Sequence, residues 1–212
     1  MREERRSRSA TEKHIRETFL HMLESTPFDK IRITGLCEAA GINRSTFYAH
    51  FYDVYDLLDK TIEAAFECVN EDRPKDYEIT VEHLWELANL EDLDEFISHE
   101  SELPLWHRFI DYGTYLPLVK DPFICQRMVQ LIYQEKRHVF IEVTIGGSLS
   151  VKELENLFWF ILNGSMAINQ KKGWVKDRSW FSLQRNLIKF VIAGCDALSP
   201  RNPSLKGSTT KP

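Results

Sequence analysis

Apolar residues along this chain recur mostly at three- and four-residue spacing, the signature of amphipathic helices. In "TEKHIRETFLHMLES", Ile15, Phe19, Met22 and Leu23 share one helical face, and Pro27 closes the segment. "DKIRITGLCEAAG" predicts a second, short helix. Thr34 is its expected N-cap, Leu36, Cys37 and Ala40 its inner face, and Gly41 the glycine beyond its last turn. Asn43 is expected to cap a third short helix. A fourth starts near Asp53, turns Leu58, Ile62, Phe66 and Val69 inward, and runs to about Asn70. The polar, proline-containing "NEDRPKDYE" then reads as a connector.

The remainder repeats the pattern. "TVEHLWELANLEDLDEFISHE" is amphipathic with a break near Asn89, and a shorter helix follows Pro104. "DPFICQRMVQLIYQEKRHVFIEV" aligns Ile124, Met128, Leu131, Ile132 and Val139. "SVKELENLFWFILNGSMAINQKK" aligns Leu154, Leu157, Phe158, Ile161 and Leu162, and "SWFSLQRNLIKFVIAGCDAL" aligns Leu187, Ile188, Val191 and Ile192. Strand signals are scarce: the longest β-branched run, "VFIEVTIGG", continues a helical pattern and stops at Gly146-Gly147. The expectation is an all-α protein of about nine helices, with a Ser/Pro/Lys/Thr-rich disordered tail.

Composition narrows the picture modestly. A 212-residue chain with 43% hydrophobic residues suffices for one large or two small domains. No window spans a bilayer, no secretory h-region opens the chain, and no membrane partner is expected. Cys37, Cys68, Cys125 and Cys195 are dispersed, as expected of reduced thiols in a cytoplasmic protein. The net charge of −5 hides an asymmetry. Residues 1–52 hold nine Lys/Arg against seven Asp/Glu, and the rest is acidic, so contact with phosphate is expected at the N-terminal end.

The third predicted helix decides what that contact is. In "GINRSTFYAHF", Phe47 and Phe51 lie four apart and can be buried together. Arg44, Ser45, Thr46, Tyr48 and His50 leave a helix this short with an unusually rich polar face. Two short helices joined at a glycine and braced by longer ones are the layout of a helix-turn-helix, whose second helix enters the DNA major groove. The segment "FDKIRITGLCEAAGINRSTFYAHF" resembles the DNA-binding domain of TetR/AcrR-family transcriptional regulators, with Ala-Ala-Gly followed by Thr-Phe-Tyr-x-His-Phe at the family's spacing. The resemblance covers about residues 10–66; beyond it only length and helical character match.

The resemblance implies a basic flexible arm at 1–10, a DNA-binding domain at 11–60, an effector-binding and dimerisation domain at 61–199, and a tail at 200–212. It implies DNA contacts by Thr34, Asn43, Arg44, Ser45 and Thr46, with Arg44 best suited to bidentate reading of guanine. Tyr48, His50 and Tyr52 complete the set, mostly at phosphates, while Phe47 and Phe51 stay buried. The chain departs from the family where a lysine usually begins the fourth helix: Val54 stands there, flanked by Asp53 and Asp56.

For the C-terminal part the resemblance implies a small-molecule effector pocket, with Trp106, His107, Phe109 and Tyr112 as candidates. Tyr133, Trp159 and Asn163 extend that list. It implies a homodimer through the last two helices: Leu157, Ile161, Gly164, Ser165 and Ile168 on one, and Leu187, Val191 and Cys195 on the other. Trp174 and Trp180 are expected to staple the loop between them. No nucleotide-binding, nucleophile-elbow or metalloprotease motif is present, so no enzyme, cofactor or metal is expected. The expected function is a regulator, most often a repressor, released from a palindromic operator by its effector. The alternative is a TetR-like dimeric interaction module that has lost operator binding, suggested by Val54 and its acidic neighbours.

Overall fold

The computed structural model describes residues 2–71, 80–108, 111, 113–144 and 149–198. Among them there are eleven α-helices and no strand. In chain order these are α1 (Arg2–Leu23), α2 (Ile33–Ala40), α3 (Arg44–Tyr48), α4 (Val54–Glu71), α5 (Val81–Asn89) and α6 (Leu93–Ser98). There follow α7 (Leu105–Arg108), α8 (Leu116–Lys120), α9 (Pro122–Thr144), α10 (Val151–Lys171) and α11 (Arg178–Leu198). No helix of the described residues is long and apolar enough to cross a membrane.

The chain forms two compact units. The first comprises Met1–Asp72 and Phe109–Met128, the second Arg73–Arg108 and Val129–Pro212. The expected boundary at 60/61 falls inside α4, which continues unbroken to Glu71. Residues 109–128, expected with the C-terminal part, group with the N-terminal one, and Asp121, Phe123 and Arg127 are fastened there. Asp121 Oδ2 accepts from the Phe28 amide at 2.8 Å, Phe123 stacks on Phe28 at 5.3 Å, and Arg127 grips Asp59 through two hydrogen bonds of 2.6 Å.

The first unit corrects three further expectations. Residues 2–10 belong to α1 instead of forming a flexible arm; they contain neither glycine nor proline, so nothing in them interrupts a helix. Thr34 does not cap α2. The cap lies two residues earlier, with Arg32 in extended conformation as N-cap and its guanidinium turned back onto the Asp29 carbonyl at 2.8 Å. In α4 the buried positions are Leu57, Leu58, Thr61, Ile62, Ala65 and Val69, while Phe66 is only half-buried. Ile15, Phe19, Leu36, Phe47 and Phe51 belong to the same buried core.

In the second unit, α11 packs on α5 and α6, and α10 on α7. At the break after Asn89, the Leu90 amide closes α5 by donating to the Leu87 carbonyl at 3.2 Å, and Asp92 Oδ1 starts α6 by accepting from the Asp94 amide at 2.8 Å. Ser150 and Glu153 form a reciprocal capping box that starts α10. Val139, expected inward on α9, is exposed. The turn between α10 and α11 carries Gly173 and Trp174 at positive φ. Trp174 tolerates this because its indole is buried and its amide donates to the Asn169 carbonyl at 3.0 Å. The four cysteines are free thiols.

Candidate nucleic-acid interface

Gly41 ends α2 at φ 63°, ψ 32°, a left-handed conformation that costs a glycine little and other residues about 1 kcal/mol or more. A Cβ there would meet no atom within 4 Å, so the requirement is on the backbone alone. His14 Nε2 lies 3.0 Å from the Ala40 carbonyl and ties this corner to α1.

Two residues later Asn43 starts α3. Its Oδ1 accepts from the Thr46 amide at 2.8 Å, and from the hydroxyls of Ser45 and Thr46 at 2.6 and 2.9 Å. Helix α3 has only five residues and turns Phe47 fully inward. Arg44, Ser45 and Tyr48 face outward, and Tyr52 beyond the helix is 84% exposed. Arg44 Nη2 donates to Thr34 Oγ1 at 2.5 Å, so the second helix supplies a rest for the arginine of the third. His50 is half-buried, and its Nδ1 finds no hydrogen-bond partner among the described residues. Thr34, Arg44, Ser45, Tyr48 and Tyr52 thus share accessible positions, whereas Asn43 and the Thr46 hydroxyl serve the cap.

The acidic residues around Val54 are already engaged. Asp53 Oδ1 accepts from the amides of Tyr55 and Asp56, both at 2.8 Å, and so starts α4. Asp56 Oδ2 accepts from the Tyr52 amide at 2.8 Å and from Lys60 Nζ at 3.2 Å. Lys60 also donates to the His50 carbonyl at 3.0 Å and lies 5.1 Å from the Phe51 ring centroid. Asp59 is neutralised by Arg127, whose guanidinium is held above its ordinary pKa by that hydrogen-bonded pair. Sequence reasoning missed Lys60 and Arg127; the i, i+4 spacing of Asp56 and Lys60 was the available signal for the first.

In the second unit the expected pocket residues divide into two groups. Trp106, Tyr133 and Trp159 gather around Phe158, which the pocket expectation omitted. Tyr133 stacks on Phe158 at 5.9 Å and meets Trp159 edge-on at 5.3 Å, while Trp106 meets Phe158 edge-on at 6.3 Å. His107 lies between that cluster and Trp180, 5.9 Å from the Trp106 ring and edge-on to Trp180 at 6.0 Å, and burial lowers its pKa from 6.5 to about 3. Asn163 spends its amide on the Trp159 carbonyl of its own helix. Phe109 and Tyr112 lie outside the described residues.

Close to His107 sits a polar hub that no motif announced. Asn169 Oδ1 accepts from Trp180 Nε1 at 2.7 Å and Gln184 Nε2 at 3.2 Å, all within the core. Because indole N–H can only donate, the orientations of both amides follow from Trp180. Lys176 lies under Trp180 and Phe181 and pairs with Glu100. Burial pulls its ammonium pKa down to about 7, and the facing carboxylate opposes that pull.

Leu157, Ile161, Gly164, Ser165 and Ile168 of α10 are all half-buried, as are Leu187, Val191 and Cys195 of α11. Beside them Phe160 is 65% and Phe190 70% exposed. Compared with models of known protein families and with curated proteins, the chain matches none.

Proposed function

We propose that this chain is a homodimeric, sequence-specific DNA-binding regulator of the TetR/AcrR kind, with α2 and α3 as its helix-turn-helix. The observation that carries this reading is α3: a five-residue helix with Phe47 buried beneath it and Arg44, Ser45 and Tyr48 outward. Such a helix contributes little to a core, and its outward groups suit major-groove edges and phosphates. Arg44 leaves Thr34 to reach guanine, and Tyr48 and Tyr52 donate to phosphates. The alternative of an interaction module rests on Val54 with Asp53 and Asp56; what favours the DNA-binding reading is that Asp53 caps α4 and Asp56 is paired with Lys60.

Dimerisation through α10 and α11 covers the half-buried stripe beside Phe160 and Phe190. It sets two copies of α3 about 34–36 Å apart, one DNA turn. A small, largely apolar effector binds among the aromatic rings around Phe158 and favours the state that does not fit the operator.

The test is fluorescence anisotropy with a duplex from the region upstream of the protein's own gene, at two salt concentrations. The expected result is saturable binding that weakens steeply with salt, and a loss of about tenfold or more for Tyr48→Ala. Absence of binding to such DNA at low salt would refute the reading.

A further inference from the structure

Helix α3 is too short to hold its own orientation, since helices under about 12 residues are marginal in water. Its start is held by Asn43 and its inner face by Phe47. Its exit is held by residues from outside the motif. The His50 carbonyl, just past the helix, accepts from Lys60 Nζ, the same ammonium donates to Asp56 Oδ2, and that oxygen accepts from the Tyr52 amide. These contacts close a ring around residues 50–52, the three that join α3 to α4. The Lys60 ammonium also lies over the ring of Phe51, which is itself buried.

We propose that Asp56 and Lys60 are positioning residues that fix the angle of the DNA-reading helix against α4, and thereby set how well the protein discriminates its operator from other DNA. The inference rests on the DNA-binding reading above. The His50 carbonyl, the Asp56 carboxylate and the Phe51 ring engage the Lys60 ammonium within the protein, so neither it nor Asp56 need touch a base. A helix with a loose C-terminal end would still bring Tyr48 and Tyr52 to phosphates. It would place Arg44 less reproducibly against a base edge, where a bidentate contact tolerates little displacement. Loss of the clasp should therefore lower specific affinity while sparing the electrostatic, sequence-independent part.

The experiment uses the full chain and an operator duplex selected by the wild-type protein from random-sequence DNA, with a scrambled duplex as control. Affinities of wild type, Lys60→Met, Lys60→Arg and Asp56→Asn are measured across a salt series. Lys60→Met should lose about tenfold in affinity for the operator beyond any loss for the scrambled duplex, with an unchanged salt slope. Lys60→Arg should recover most of the discrimination, because a guanidinium can serve both acceptors. Asp56→Asn should fall between and covers the case in which Lys60→Met folds poorly. An equal loss on both duplexes with a salt slope reduced by about one would make Lys60 a phosphate contact and overturn the proposal. So would unchanged discrimination in both Lys60→Met and Asp56→Asn. A wild type that selects no sequence would instead defeat the DNA-binding reading itself.

Discussion

His107 is a titratable side chain placed where it cannot titrate. It is fully enclosed, faces Trp180, and its Nδ1 has no hydrogen-bond partner among the described residues. In the unfolded chain the imidazole takes up a proton below about 6.5, but in the fold it stays neutral down to about 3. The unfolded state therefore binds more protons within that window, and stability falls as pH drops through it. The expected slope from this group is about 1.4 kcal/mol per pH unit. Denaturant titrations of wild type and His107→Gln at pH 7 and pH 5 should show the variant losing less stability than wild type on acidification. Equal losses would mean that His107 is hydrated in solution. The sequence marked His107 as a pocket residue because polar groups among aromatics often line pockets, but periodicity cannot tell a lined cavity from a filled core.

At the scale of elements, α3 shows two demands on one residue. Asn43 was expected both to cap the helix and to contact DNA, yet its Oδ1 already accepts three donors. It can release them only by uncapping a five-residue helix. Asn43→Ala should cost about 1 kcal/mol of stability in thermal or denaturant unfolding, while Asn43→Asp should retain most of it. An alanine variant as stable as wild type would show that tertiary packing alone holds α3. This cap was legible because its chemistry is local: the acceptor and its donors lie within three residues. The start of α2 was misplaced by two residues for the opposite reason. Arg32 has no capping side chain, and the helix begins there because the chain leaves the Phe28–Lys30 turn already extended.

For the molecule as a whole, the exposed Phe160 and Phe190 lie on the two longest helices of the second unit that turn apolar residues outward. In the dimer proposed above, pairing through this surface would join two weak half-site contacts into one strong one. Phe160→Glu should convert the protein from dimer to monomer in sedimentation equilibrium, and should weaken operator binding by about a hundredfold or more through loss of that linkage. A variant that remains dimeric would place the interface elsewhere.

The hydrophobic period by itself determined the all-α class, the break at Asn89 and the inward phase of most helices, since each depends on side chains a few residues apart. The glycine turn at Gly41 and the burial of Phe47 and Phe51 were likewise legible, because only glycine reaches that backbone conformation cheaply and large rings seek the core. Only the tertiary structure decided that Arg127 answers Asp59, that Asp121 fastens to Phe28, that Phe158 gathers the aromatic side chains, and that Asn169 is read by Trp180 and Gln184. Most of these partners are separated by tens of residues, and even the nearer pair sits across a turn that no periodicity describes. Their meeting depends on how whole helices pack, a sum over many weak contacts that no short stretch of sequence contains.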